Sequence, residues 1–520
     1  MEARLDISED RTAPLQYVSL SHRWGNANVP KLTTHQLTSM VERGVPVHTL
    51  PKTFQDAFAV TKRLGYRYIW IDSLCIVQDS VEDWQKEASM MGEVYANAQC
   101  NISATGAKDS DEGLFIDRNA KLVRPCKVRL KDSSPWLGGE YYILDPLIWP
   151  SGVSEAPLNA RGWVFEERVM AKRILHFGKD QLFFECHELD ACETFPSGLP
   201  TSPSYRWRPL GAASNGHFKR QDPATDGASI RESNSMGRLS SDQSLNTYSL
   251  WSDLVETYSG LSLTKEEDKL IAFSAIAKKM RHLLKDEYLA GLWRRHLPYQ
   301  LLWTKRKDVR SGTESLSYRA PSWSWASLKD KVTLYPITSK ENEKIVIEIL
   351  EAETFPVAED DTGQLVGGYL RLEGFLRAAE WAFYKPQSDS EPWTMKDLAA
   401  RLSFEGWDKP RDITVWEDEW DRINLVEFGK DAVFCLPIHL WWNEDGDICT
   451  EGLVLAKIEF QDDLFRRVGK FKIELSQAES HEIFYGVPPS AMLKCRTRAT
   501  ERCLLLDESP LLEAHEICII

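Results

Sequence analysis

Between residues 16 and 106 the apolar pattern switches repeatedly between a period of two and a period near 3.6, which restricts this stretch to a layered α/β fold. "YVSLSH" (17–22) alternates as a strand does and runs into the loop "RWGN". "LPKTFQDAFAVTKRLG" (50–65) sets Phe54, Ala57, Phe58, Thr61 and Leu64 at helical spacing between Pro51, a start signal, and Gly65, a stop signal. "YRYIWIDSLCI" (66–76), aromatic and β-branched, reads as a second strand. Ser80 and Asp83 give a capping-box-like start to a helix over 83–98, and "QCNISATGA" (99–107) reads as a third strand. The order strand–helix–strand–helix–strand predicts a mainly parallel sheet covered by helices.

The chain has 520 residues, too many for one compact core, so two or three domains are expected. A second block runs from 158 to 192, with a helix from Val164 to Lys172 leading into a hairpin around Gly178, Lys179 and Asp180. Residues 199–247 are rich in Ser, Gly, Pro and Asn and read as a disordered insertion. Helical patterns return at 249–258 and 265–290, and "YRAPSWSWAS" (318–327) reads as an aromatic strand or turn. From about 330 the chain alternates apolar strands such as "VFCLPIHLWW" with acidic loops. The expected division is an α/β domain over 1–198 with its core at 16–168, the insertion, a helical region over 248–329, and a β-rich domain over 330–520.

Composition excludes several functions. A formal charge of −15 with no basic run argues against nucleic-acid binding, which needs a basic face for phosphates. The charged N-terminus "MEARLDISED" lacks the apolar centre of a signal peptide, and no apolar run approaches the roughly 20 residues of a bilayer span. The ten cysteines are scattered, with no CxxC, so the expectation is a cytoplasmic, metal-free chain with reduced thiols. Phosphate-cradling GxxxxGK[ST], GxGxxG, HExxH and GxSxG are all missing. Cys186, His187 and Cys192 in "ECHELDAC" lack zinc-finger spacing and read as hairpin residues packed as small hydrophobes. The acidic "WEDEWDRINLVE" (416–427) reads as a solvated helix face.

Ligands of open α/β sheets collect at the carboxyl ends of the strands. In a parallel arrangement those ends present Ser21, His22 and Trp24, then Asp72, Ser73 and Cys75, then Ser103 and Thr105. They either satisfy strand ends and turns or line a pocket for a sugar or nucleotide beside an indole. At about 100° per residue, Trp84, Ala88, Met91, Val94, Tyr95 and Ala98 share one arc of the 83–98 helix, and Glu87 falls inside it. A carboxylate facing a core costs several kcal/mol unless it is paired or lines a cavity. Glu87 is therefore either tied to a cation such as Arg63 or Arg67, or it faces a pocket.

The blocks "YVSLSHRWG", "LPKTFQDAFAVTKRLGYRYIWIDSLCIVQD", "DWQKEASMMGEVYANAQCNISATGA" and "RGWVFEERV", in this order over residues 16–168, resemble the fungal heterokaryon incompatibility (HET) domain. "DKLIAFSAIA", "DEYLAGLWR" and "APSWSWAS" are similar to segments on the C-terminal side of the domain in many members. Two positions depart: Arg23 stands where a cysteine is usual, and Glu166 where a glutamine is common. The resemblance implies non-self recognition in which incompatible hyphal fusion triggers programmed cell death. It also implies likeness to Toll/interleukin-receptor (TIR) domains, a flavodoxin-like fold. Some TIR domains cleave NAD with a glutamate early in a helix, close after a tryptophan, which Trp84 and Glu87 match with a spacing of three rather than four. NAD is then a substrate rather than a cofactor. Three classes of function stay open on this reading: a NAD-cleaving death effector, a domain that signals only by self-association or by binding a partner incompatibility protein, and a fold recruited to secondary metabolism.

Overall fold

A computed structural model describes residues 2–7, 15–25, 29–130, 139–143, 145–199, 241–306, 318–337, 342–384, 399–404, 414–418, 433–443, 446–458, 464–475 and 515–520. It divides into two compact units. One comprises Met1–Ser240, Leu261–Lys265 and Ile271–Met280; the other comprises Ser241–Gly260, Glu266–Leu270 and Arg281–Ile520.

The main sheet of the first unit has, among the described residues, the strands β1 (Tyr17–Ser21), β2 (Tyr68–Trp70), β3 (Asn101–Ser103), β4 (Arg173–Phe177), β5 (Leu182–Cys186) and β6 (Asp190–Cys192). The helices are α1 (Thr34–Glu42), α2 (Lys52–Arg63), α3 (Asp72–Cys75), α4 (Val81–Asn97) and α5 (Gly162–Met170). The sheet order is β6-β5-β4-β3-β1-β2. β2, β1, β3 and β4 are mutually parallel, and β5 and β6 add an antiparallel edge. The register aligns Ser21 with Ser103 and Ser103 with His176, so one row of polar residues crosses the carboxyl ends of three strands.

The alternation of periods therefore folds as expected. Pro51 caps α2, which buries Phe54, Ala57, Val60 and Thr61, and Gly65 behind it takes a φ of 84°. At the start of α4 the Ser80 hydroxyl accepts the Asp83 N–H at 3.2 Å, while the Asp83 carboxylate accepts the Val77 N–H at 2.8 Å. Val18, Leu20, Phe54, Ala57, Ile71 and Ile102 form the core between sheet and helices, with Trp24 packed at its edge. Gly92 lets α4 approach a neighbouring segment closely, since a Cβ there would collide with that of Ala275.

Two strands are shorter than their patterns. The second ends at Trp70 because Asp72 turns its carboxylate onto the Ser73 N–H at 2.7 Å, and a helical turn forms from Asp72 to Cys75. The third stops at Ser103, where Gly106 donates to Phe177 O and Ala107 closes a turn onto Ala104 O.

Among the described residues the second unit holds a ten-stranded sheet. Its centre is the meander Val433–Trp442, Ile448–Lys457 and Leu464–Leu475, and every pairing is antiparallel except that of Leu464–Leu475 with His515–Ile519. A helix, Ser241–Ser259, begins seven residues inside the stretch read as an insertion; residues 200–240 of that stretch lie outside the described residues. The aromatic segment at 318–327 is a turn in which Ser324 caps a 3-10 turn, Trp325–Ser327, with Trp323 and Trp325 fully buried.

The solvated-helix reading of 416–427 is corrected where it is described. Thr414–Glu417 is a strand and Asp418 is buried, because Arg467 binds it there; residues 419–427 lie outside the described residues. Among the described residues no helix is long and apolar enough to cross a membrane.

Candidate functional site

At the carboxyl end of β1 the chain leaves the sheet at Ser21 and His22, both buried, and turns past Trp24 at Gly25, whose φ of 60° suits glycine. Trp24 Nε1 donates to Asp72 Oδ2 at 3.1 Å, and His22 Nδ1 lies 3.7 Å from Asp72 Oδ1. Asp72 thus joins the end of β1 to the turn after β2, and its side chain keeps 25% exposure. The Arg161 guanidinium donates to His22 O at 2.8 Å, and the His22 ring stands edge-on to Phe54. Burial lowers the His22 pKa more than the Asp72 charge raises it, so the ring favours its neutral form. His22 Nε2 and Ser73 Oγ are buried without a hydrogen-bond partner. The Lys31 ammonium sits 5.1 Å from the centre of the half-buried Trp24 indole.

Glu87 lies on α4 as the arc requires, beside buried Ala88, Met91 and Tyr95, and is itself half-buried. Its charge and that of Asp72 both bear on the Cys75 thiol, which burial above all pushes up to about 12. Such a thiol holds its proton at neutral pH and is a poor nucleophile. Iodoacetamide at pH 7.5 is therefore expected to modify exposed Cys126 well before Cys75, as peptide mass mapping would report.

Of the residues singled out in the sequence, Ser21, His22, Trp24, Asp72 and Ser73 stand together, and Cys75 feels both Asp72 and Glu87. Ser103 and Thr105 turn to a separate buried network. Their hydroxyls meet at 2.9 Å, Thr105 reaches His176 Nδ1 at 2.9 Å, and His176 Nε2 reaches Glu185 at 3.1 Å. Cys186 belongs to the β5–β6 hairpin, where its sulfur accepts the N–H groups of Glu188 and Leu189.

Four residues that the sequence reading did not select complete the site: Tyr95, Asn101, Arg161 and Glu167. Ser19 Oγ donates to Asn101 Oδ1 at 3.2 Å, Asn101 Nδ2 donates to Ser21 Oγ at 2.8 Å, and Ser21 Oγ donates to Glu167 Oε2. Glu167 belongs to a run of three consecutive buried charges on α5, with Glu166, Glu167 and Arg168 only 1%, 6% and 6% exposed. Each has its own anchor: Glu166 accepts the Ala275 N–H at 3.0 Å, Glu167 accepts Ser21, and Arg168 donates to Glu185 at 2.8 Å. The signal was the same one that marked Glu87, charges where a helix is otherwise apolar, in "RGWVFEERV".

Burial pushes the Glu167 carboxyl up to about 7, against the opposing pull of Ser21. A carboxyl raised on folding binds its proton more tightly in the native state, so its ionisation weakens the fold as pH climbs from about 4.5 to about 7. Relative to Glu167→Gln, the wild type is expected to lose roughly 3 kcal/mol over that window, a difference that urea unfolding at each pH measures.

Residues 17–167 match the family model of heterokaryon incompatibility protein (HET), a span from the first residue of β1 into α5 that ends on Glu167. That match covers the α/β part of the first unit and shows similarity to the HET domain over these residues. No curated protein and no solved structure matches the chain.

Proposed function

We propose that the chain acts in fungal heterokaryon incompatibility, triggering cell death on non-self recognition, and that its HET domain does so by cleaving NAD. One observation carries the catalytic part: the Trp24 indole is fixed by Asp72 at the carboxyl end of β1, and the charges of Asp72 and of Glu87 on α4 both act on Cys75. The parallel order β2-β1-β3-β4 supports a flavodoxin-like, TIR-like reading, in which ligands lie outside the strand ends near the β1/β3 switch point.

In this reading Trp24 stacks on a planar ring and Asp72 with Ser73 binds ribose hydroxyls. The bond from ribose C1′ to nicotinamide breaks with its electron pair going to the pyridine nitrogen. Glu87 steadies the oxocarbenium-like ribose that remains, as carboxylates do in glycosidases. Water then bonds to C1′ and releases a proton, giving ADP-ribose and neutral nicotinamide.

Purified protein incubated with NAD is expected to release nicotinamide, followed by chromatography. Intact NAD after prolonged incubation would overturn the catalytic reading. It would favour signalling by assembly with a second copy or a partner incompatibility protein. That second reading draws on the two-stranded hairpin Cys126–Leu130 with Gly139–Ile143, where Tyr142 and Ile143 are 60% and 62% exposed.

A further inference from the structure

The Ser19–Asn101–Ser21–Glu167 chain has a direction. An ionised Glu167 can only accept, so it takes the Ser21 proton; Ser21 Oγ then receives the Asn101 amide nitrogen, and the amide oxygen faces the Ser19 hydroxyl. Every donor points toward Glu167, which selects its carboxylate form. Burial selects the protonated form instead. Other charged or titratable groups also face Glu167 from the surrounding elements. Tyr95 on α4 lies beside it with its hydroxyl donating to Leu20 O at 3.2 Å, Asp72 on α3 opposes its ionisation, and Arg161 ahead of α5 favours it. Its neighbours Glu166 and Arg168 are held by Ala275 and Glu185. Ser21 is the last residue of β1 and directly precedes the turn that carries His22 and Trp24.

We propose that Glu167 is a positioning residue of this site. As a carboxylate it holds Ser21 and the turn to Trp24 in the ligand-ready arrangement, and on taking up a proton it releases them, so that the site is switched off by acid. The switch rests on the proposed reading of this edge as the ligand site, but its structural half stands independently. A carboxylic acid whose proton sits on the oxygen facing Ser21 reverses that link: Ser21 Oγ then accepts from both Glu167 and Asn101, and its own proton must turn to another acceptor. The balance between burial and the directed donors falls near neutral pH, with the Glu167 carboxyl at about 7. His22 is kept apart from this range because its own pKa is lowered from 6.5.

The test uses the full chain labelled with 5-fluorotryptophan, the Trp24 resonance being identified by its loss in Trp24→Phe. In the wild type that resonance is expected to move in one step near neutral pH. In Glu167→Gln and in Ser21→Ala, either of which breaks the titrating link, the step should vanish. An unchanged step in whichever of these variants folds would overturn the proposal. The second arm is the pH profile of nicotinamide release. Wild-type turnover should fall about tenfold per pH unit below the midpoint, while Glu167→Gln should show a lower, flat profile with KM little changed. A Glu167→Gln profile that keeps the acid limb also overturns the switch. Absence of turnover in the wild type at every pH would defeat the NAD reading alone, and the fluorine titration would still decide the role of Glu167.

Discussion

Under the proposed NAD cleavage, Glu87→Gln is expected to lower nicotinamide release, and with it the proposed cell killing, by a factor of ~10² or more, because it would remove a charge needed only as the sugar cation develops. Amide and carboxylate have nearly the same shape, so the buried Ala88 and Met91 on the same helix are left undisturbed. Glu87 is half-buried rather than enclosed, which makes neutralising it far cheaper than neutralising a buried half of an ion pair. The melting temperature should accordingly stay near that of the wild type. Loss of Glu87 also removes a negative charge that raises the Cys75 thiol, so Cys75 should alkylate somewhat faster in the variant. Thermal melts beside nicotinamide release provide the check. A stable and fully active Glu87→Gln protein would remove Glu87 from the mechanism, and a strongly destabilised one would assign it a structural ion pair.

The largest stability effect is expected in the second unit, at Arg467. Its guanidinium is buried and makes four hydrogen bonds: Nε and Nη2 hold Asp418 at 2.8 and 3.2 Å, Nη1 reaches Leu301 O at 2.5 Å, and Nη2 reaches Trp303 O at 2.7 Å. The group also lies 3.3 Å from the centre of the Trp303 ring. Truncation to alanine strands the Asp418 carboxylate and two backbone carbonyls out of water, so Arg467→Ala should cost ~3–5 kcal/mol in urea unfolding. Arg467→Lys should rescue little, since a single ammonium cannot reproduce the fork that spans Asp418 and two carbonyls. In Arg467→Ala with Asp418→Ala together, the loss should fall well short of the sum of the two single changes. Additive losses would mean that the pair is not coupled.

The α/β layout was legible because each element advertised its own period locally. Pro51 and Gly65 bounded α2, and the Ser80–Asp83 cap marked the start of α4. The strand pattern at 66–76 overshot because apolar residues such as Leu74 and Ile76 suit a helical turn equally well, and the Asp72 side chain decided between the two. Asp72, Trp24 and Ser73 could be grouped in advance because a parallel sheet forces strand ends onto one edge. Glu167 could not: its partner Ser21 is 146 residues away, and no local period reports a pairing of that span. Asp418 was misread for a related reason, since an acidic run looks solvated until a distant arginine is seen to claim one of its members.

The pinning of α5 also bears on where this domain can be cut. A fragment ending with the family match at Glu167 would stop partway through α5 and remove Arg168, Glu185 and the whole of β4. The N–H and C=O groups of β3 that pair with β4 would then form a raw sheet edge, a template for aggregation. Extending the fragment through Cys192 closes that edge but still omits the Ala275 N–H that Glu166 accepts. The smallest piece able to keep every buried charge of α5 satisfied is therefore discontinuous in sequence, and expression of the isolated domain should succeed only when the residues around 275 travel with it.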